Sequence, residues 1–279
     1  MDDWFQGNGV VLDPQNQRIK VMNVQSCTLN SEFINQLELA EKNTGFTKTI
    51  IYSKNGDVDF FLKHGFHQEG KIDGFFNGQN AYILSKFQSP NRAKSKMEKE
   101  QDQIVKLAEE NANQAIRKPL PRAMKIRKAQ LSDADQLSDL FQMVFKTYPT
   151  PVHEPDYIKQ VMEEDTYFMV IESEDRIISV ASAEISSDLG CVEMTDCATH
   201  PDYRGQSLLS HLFFALEEVM ENMGIYYLFS LTRAQSPAMN ITVAKHGYQY
   251  RGRLINNCDI FSGYEDMNIW VKPLKPTRD

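Results

Sequence analysis

Residues 192–224 read VEMTDCATHPDYRGQSLLSHLFFALEEVMENMG, and the punctuation of this stretch decides the fold. Val192 to Thr199 has strand character, and His200-Pro201 ends it because proline has no amide proton to give a sheet ladder. Arg204-Gly205-Gln206-Ser207 follows as a small-residue turn. From Ser207 to Met223, apolar residues at Leu208, Leu209, Leu212, Phe213, Leu216, Val219, Met220 and Met223 recur at helical spacing. Gly224 falls where a helix takes a C-terminal glycine. A helix N-terminus fed by a tight turn offers unpaired N–H groups and roughly half a positive charge, which suits a pyrophosphate. On geometry alone an ordinary strand-turn-helix connection also fits.

The wording of the turn separates these readings. Pro201-Asp202-Tyr203-Arg204-Gly205-Gln206, after a strand and before a long helix, resembles the acetyl-CoA-binding motif of the GNAT superfamily of N-acetyltransferases. That pattern, Arg/Gln-x-x-Gly-x-Gly/Ala, puts Ser207 at its first glycine and Leu209 at its final small residue when laid on Arg204. The contacts are made by main-chain amides, so a serine is accommodated, while Leu209 must point its side chain away from the phosphates.

Composition sets the outer bounds. The chain has 279 residues, room for one large domain or two ordinary ones. Its hydrophobic content of 41% and charged content of 24% are those of a soluble globular protein. No apolar run approaches the ~18–20 residues of a membrane span. The start, MDDWFQGNG, lacks the apolar segment of a secretory signal. Cys27, Cys191, Cys197 and Cys258 contain no C-x-x-C pair and read as reduced thiols, so the expected location is cytoplasmic. A net charge of −8 argues against nucleic acid as the main partner and suits a cationic substrate, besides favouring solubility. No metal site is expected.

The chain says something similar twice. Residues 62–72 read LKHGFHQEGKI and residues 244–254 read AKHGYQYRGRL, with glycines at 65 and 70 and at 247 and 252. Each copy follows a strand candidate (48–53, 226–232) and precedes another (81–87, 267–274). This is similar to the C-terminal half of a GNAT domain, and the first copy lacks a counterpart of Arg204-Gly205. Residues 1–88 are therefore read as a degenerate, coenzyme-free relative that covers apolar surface of the second domain or of a partner subunit. Residues 89–122 read as a charged linker with a helix from about 94 to 117, its stripe formed by Ile104, Leu107, Ala108, Ala115 and Ile116. That helix should end before Pro119. Residues 123–275 give the order β-α-α-β-β-β-α-β-α-β-β, the GNAT order. The fold class is thus α/β with a mixed sheet, the GNAT acyl-CoA N-acyltransferase fold behind a GNAT-like N-terminal domain.

The resemblance implies acetyl transfer from acetyl-CoA to an amine, with no metal. Baring the lone pair of an alkyl ammonium of pKa ~10.4 near neutral pH costs roughly 4 kcal/mol, whereas the leaving thiolate needs only about 1–2 kcal/mol of help. A general base is the harder group to omit. Glu193, four residues before Cys197-Ala198-Thr199 as is the glutamate of histone acetyltransferases in this superfamily, is the first choice of base. Strand alternation places Glu193, Thr195 and Cys197 on one face and Asp196 on the other. Asp196 is the fallback base or an ammonium-binding group, and Cys197 is a packed thiol rather than a nucleophile. The resemblance further implies coenzyme contacts from Cys197, Ala198 and Thr199, from Arg204, Gly205, Gln206, Ser207, Leu208 and Leu209, and from Asn240. The family's usual acid, a Tyr four residues before the helix-ending glycine, is Val243 here, leaving Tyr248 and His246 as alternatives. Tyr148-Pro149-Thr150-Pro151-Val152, the Lys245-His246-Gly247-Tyr248 turn and the N-terminal extension are similar to bacterial and archaeal β-lysine N-acetyltransferases, which make the compatible solute Nε-acetyl-β-lysine. The implied substrate is a small cationic amine. A polyamine substrate, or a non-catalytic acyl-CoA sensor, stays open at this point, as does a homodimer.

Overall fold

The computed structural model describes residues 9–22, 24, 28–260 and 263–274. Its first run of elements is β1 (Val10–Asp13), β2 (Arg18–Val21), α1 (Ser31–Thr44), β3 (Lys48–Ser53), α2 (Val58–Lys63), β4 (His67–Phe76) and β5 (Gln79–Phe87). A connecting helix α3 (Glu98–Glu110) leads to β6 (Met124–Lys128), α4 (Ala134–Val144), α5 (Pro155–Glu164), β7 (Thr166–Ser173) and β8 (Arg176–Ser186). The chain then forms β9 (Cys191–Thr199), α6 (Leu208–Asn222), β10 (Tyr227–Arg233), α7 (Pro237–Lys245), β11 (Gln249–Ile260) and β12 (Gly263–Pro273). From β6 onward the order matches the sequence-based expectation element by element.

All twelve strands join one sheet, in the order β1-β2-β3-β5-β4-β11-β12-β10-β9-β8-β7-β6. The two related stretches fold alike. In the first, β2 runs parallel to β3, β3 antiparallel to β5, and β5 antiparallel to β4. In the second, β9 runs parallel to β10, β10 antiparallel to β12, and β12 antiparallel to β11. Even the helix ends correspond. Gly65 and Gly247 have φ of 82° and 86°, and the following aromatic amides, Phe66 and Tyr248, reach back five residues to Phe61 and Val243 carbonyls at 3.2 and 3.1 Å.

The copies meet at their repeated glycines. Gly70 of β4 pairs with Gly252 of β11 across the middle of the sheet. A Cβ on Gly252 would lie 2.2 Å from the Glu69 carbonyl oxygen and 2.5 Å from the Gly70 Cα, and Gly252 also has φ +139°. Neither backbone can retreat without breaking the sheet, so strain and overlap add. Gly252→Ala is expected to destabilise by about 3 kcal/mol, lowering Tm by roughly 6 °C or more. Gly65→Ala, which also needs positive φ but meets nothing within 4 Å, should cost only about 1 kcal/mol. Thermal melts of both variants check this, and equal shifts would refute the crowding argument.

A shared apolar cluster spans the junction: Tyr52, Ile72, Phe75 and Ile83 from the first copy pack with Phe229, Leu254, Met267 and Ile269 from the second. Separate clusters lie under α1 (Phe33, Leu37), under α4 and α5 (Leu137, Phe141, Ile158), and between α6 and the sheet (Leu212, Phe213, Leu216, Trp270). The helix expected from about 94 to 117 is shorter than that. It stops at Glu110, and its buried face is Gln101, Val105 and Ala108, with Leu107 and Ile116 exposed. Asn113 takes φ +59°, and the Asn113 and Ala115 amides bond Ala244 and Lys245 carbonyls at 3.0 Å. Docking on the C-terminus of α7 thus replaces the helix's last turns.

Candidate active site

Two irregularities open a site at β9. The parallel pairing of β9 with β10 is confined to Val192–Leu228 and Glu193–Phe229, after which the strands part. On the other side of β9, Thr195 faces Ser182 and Ala198 faces Val180, so Asp196 and Cys197 together stand opposite one residue of β8. This is a β-bulge, with Asp196 at φ +45°. The bulge corrects the alternation expected from the sequence. Asp196 does not sit on the opposite face; Glu193, Thr195, Asp196 and Cys197 all line one cavity of about 530 Å³.

The cavity gathers several ionisable side chains of both signs. Glu193 and Glu184 are directly opposed across β9 and β8, so that ionisation of either carboxyl disfavours ionisation of the other. Burial, then the Glu184 carboxylate, pushes the Glu193 carboxyl up to about 8. Glu184 and Asp196 are likewise raised, first by burial. Asp196 accepts from Ser182 Oγ at 2.8 Å and from the Tyr148 hydroxyl, which fixes its orientation. Glu164 and Asp165 complete the acidic lining. The cavity's cations are Arg18, Lys20 and Arg233, the last held by Glu265 through two bonds of 2.7 and 2.8 Å. Arg18, Lys20, Tyr52 and Phe75 come from the first copy, whose Gln15 side chain also donates to the Tyr148 carbonyl.

The Arg204–Leu209 turn lies past the end of β9. Gly205 and Ser207 take φ of +79° and +59°, and residues 204–207 are exposed. Ser207 provides no side-chain cap to α6. Among the described residues, the amides of Gly205 to Leu209 bond to no protein acceptor. In the first copy the matching helix, α1, is closed by Asn30, whose side chain accepts from the Phe33 amide at 3.0 Å. One helix start is capped, and the other is left open to an anion.

The Acetyltransferase (GNAT) family model matches residues 135–248. The chain is 39% identical over 262 residues to the N-acetyltransferase YodP of Bacillus subtilis, covering 94% of each chain. It is 31% identical over 260 residues to the β-lysine N(6)-acetyltransferase of Methanococcus maripaludis, covering 92% of this chain and 93% of that one. The enzyme of the same name from Methanosarcina mazei is 31% identical over 247 residues, covering 81% of this chain and 91% of its own. The chain belongs to the GNAT acetyltransferase family. It is an N-acetyltransferase.

Within this GNAT chain several expected residues stand elsewhere. Asn240 is not free to bond a coenzyme arm. It is fully buried, its Oδ1 accepts from Thr232, Asn268 and Trp270 at 2.8–2.9 Å, and its Nδ2 donates to Arg233 and Ser236 carbonyls. It ties the start of α7 to β10 and β12, and its side-chain amide has nothing left to offer a coenzyme arm. Val243 is core. Tyr248 and His246 also lie outside the cavity; the Tyr248 ring packs on Phe213, and His246 Nε2 shares a 2.7 Å bond with Ser210 Oγ. Burial, then Asp196, pushes the Cys197 thiol up, keeping it protonated, and its sulfur faces the Thr195 carbonyl at 3.3 Å. Glu184 and Asp196 line the cavity, whereas Glu265 holds Arg233 and Asp259 lies outside it. Cys27 lies outside the described residues.

Proposed function

We propose that this GNAT enzyme moves acetyl from acetyl-CoA to the ε-amine of β-lysine. The observation that carries the reading is the mixed lining of one cavity: a raised, opposed carboxyl pair at Glu184 and Glu193, with Lys20 and Arg18 in the same space. A substrate with two ammonium groups and one carboxylate needs both signs of charge. The names of the methanogen relatives, matched over nearly their whole length, support it.

Acetyl-CoA supplies an acetyl group already activated on sulfur. The open amides of Gly205 to Leu209 and the N-terminus of α6 fit its pyrophosphate. Glu193 accepts the proton of the substrate ammonium, leaving a neutral amine whose lone pair is free to attack. Against an amine of ~10.4, a carboxylate of ordinary pKa lies about 6 units below, and one near 8 lies only about 2.4 units below. The raised value therefore makes that proton transfer easier, while leaving the carboxyl mostly protonated at neutral pH. Asp196, pinned by Ser182 and Tyr148, orients an ammonium group. Cys197 stays a packed thiol. In this reading residues 123–275 are the catalytic domain, 89–122 the linker, and 1–88 a degenerate copy without coenzyme, its helix start closed by Asn30.

Calorimetric titration with coenzyme A, then an amine panel read by free thiol release, tests the proposal. The panel is β-lysine, α-lysine, spermidine, an aminoglycoside and a peptide N-terminus, and β-lysine is expected to have the highest kcat/KM. A higher value for spermidine or peptide rejects β-lysine and leaves acetyl transfer standing. Coenzyme binding without turnover of any amine would make the chain a sensor.

A further inference from the structure

Arg18 and Lys20 are two residues apart on β2, so they share a face, and both line the cavity that holds Glu193. They differ in commitment. Arg18 is anchored through Nε to Asp13 at 2.8 Å and through Nη1 to the Asn257 carbonyl at 3.1 Å. Arg233 is taken by Glu265. Among the described residues, Lys20 has neither an ion-pair nor a hydrogen-bond partner. A half-buried ammonium left unpaired in a cavity costs free energy that a stable fold avoids unless the cation has a visiting partner.

The obvious resident role, a counter-ion to the Glu184–Glu193 pair, fits poorly. Lys20 makes a direct ion pair with neither; its charge pulls both carboxyls down, but burial outweighs it and both stay raised. We propose that Lys20, backed by the anchored Arg18, binds the carboxylate of the amine substrate, so that the N-terminal half sets the preference for an amino acid over a polyamine. This rests on the reading of the cavity as the amine site. Its electrostatics are consistent: burial, then Arg18, holds the Lys20 ammonium below its ordinary pKa, and an incoming carboxylate would restore it. A polyamine has ammonium groups only, and one of them would have to sit beside this cation.

The test uses the full chain saturated with coenzyme A and two probes: β-lysine and the diamine left when its carboxylate is removed. Calorimetry should show that the wild type binds β-lysine more tightly. In Lys20→Met, the Kd for β-lysine should rise roughly tenfold to a hundredfold relative to that for the diamine, the loss of one charge-assisted bond. Lys20→Arg should restore most of the preference. Equal changes for both probes, or a wild type that does not distinguish them, would overturn the proposal. If Lys20→Met does not fold, the wild-type comparison and Lys20→Arg still decide. A wild type that prefers β-lysine in binding yet releases no thiol with it would refute the acetylation reading and leave the carboxylate site standing.

Discussion

Glu193→Gln is expected to lower kcat by about 10²-fold or more at neutral pH, the range for loss of a general base. The argument is one of proton affinity. Burial and the facing Glu184 raise the Glu193 carboxyl to about 8, so at pH 7 roughly a tenth of it is ionised and base strength is high. Wild-type kcat/KM should therefore climb as pH rises through about 8, as the carboxyl loses its proton, and again toward the amine's own pKa of ~10.4. In Glu193→Gln the limb near 8 disappears and only the amine's remains, so the two enzymes converge at high pH. Rate–pH profiles by thiol release check both claims. Unchanged kinetics in Glu193→Gln with a large loss in Asp196→Asn would move the role to Asp196.

A chain starting at Met124 is expected to be insoluble or unfolded. It would lose the first copy's share of the junction cluster and bare Phe229, Leu254, Ile260, Met267, Ile269 and Val271, each at most 7% exposed in the intact protein. At the lower figure of ~1.5 kcal/mol per buried side chain, these six amount to about 9 kcal/mol, comparable with the whole stability of a domain. The backbone of β11 loses partners as well. Glu69 accepts from the Ile255 amide at 2.6 Å, Lys48 donates to the Ile255 carbonyl at 2.8 Å, and Asn16 accepts from the Asp259 amide at 2.8 Å. Expression, size-exclusion chromatography and a thermal melt of the shortened chain test this. A soluble, cooperative monomer that acetylates at the full rate would show that the N-terminal half is dispensable to both stability and the site.

Local pattern carried the element order from Met124 onward, because apolar spacing, β-rich runs and the Gly and Pro stops mark the elements without side-chain caps at the helix starts. The site was legible only where chemistry and position coincide in one short stretch. Glu193, Asp196 and the Arg204–Leu209 turn lie within seventeen residues of one another and could be picked out together. What stayed hidden depends on register and distance. The bulge that brings Asp196 into the cavity is a mismatch between β8 and β9, visible only once Thr195 and Ser182 are paired. Glu184 faces Glu193 for the same reason. Arg18 and Lys20 reach the cavity although β2 and β9 stand seven places apart in the sheet, a relation that no spacing in the chain encodes. Asn240 shows the converse error: its position suggested a ligand contact, but the buried Thr232, Asn268 and Trp270 donors consume its oxygen.

The seam at Gly70 and Gly252 also governs how this sheet meets other molecules. A row of unsatisfied strand groups is a template for unwanted pairing with another chain. Placing β4 against β11 hides what would be a twelve-residue border, and side chains of Asn16, Lys48 and Glu69 occupy its backbone groups where the ladder does not. The borders that remain in the described residues are β1, four residues long, and β6, five residues carrying Lys125, Arg127 and Lys128. Both are too short, and the second too charged, to recruit a neighbouring strand. Joining the two parts in one chain thus widens the sheet to twelve strands while leaving it no more sticky at its margins than either part's outermost strand.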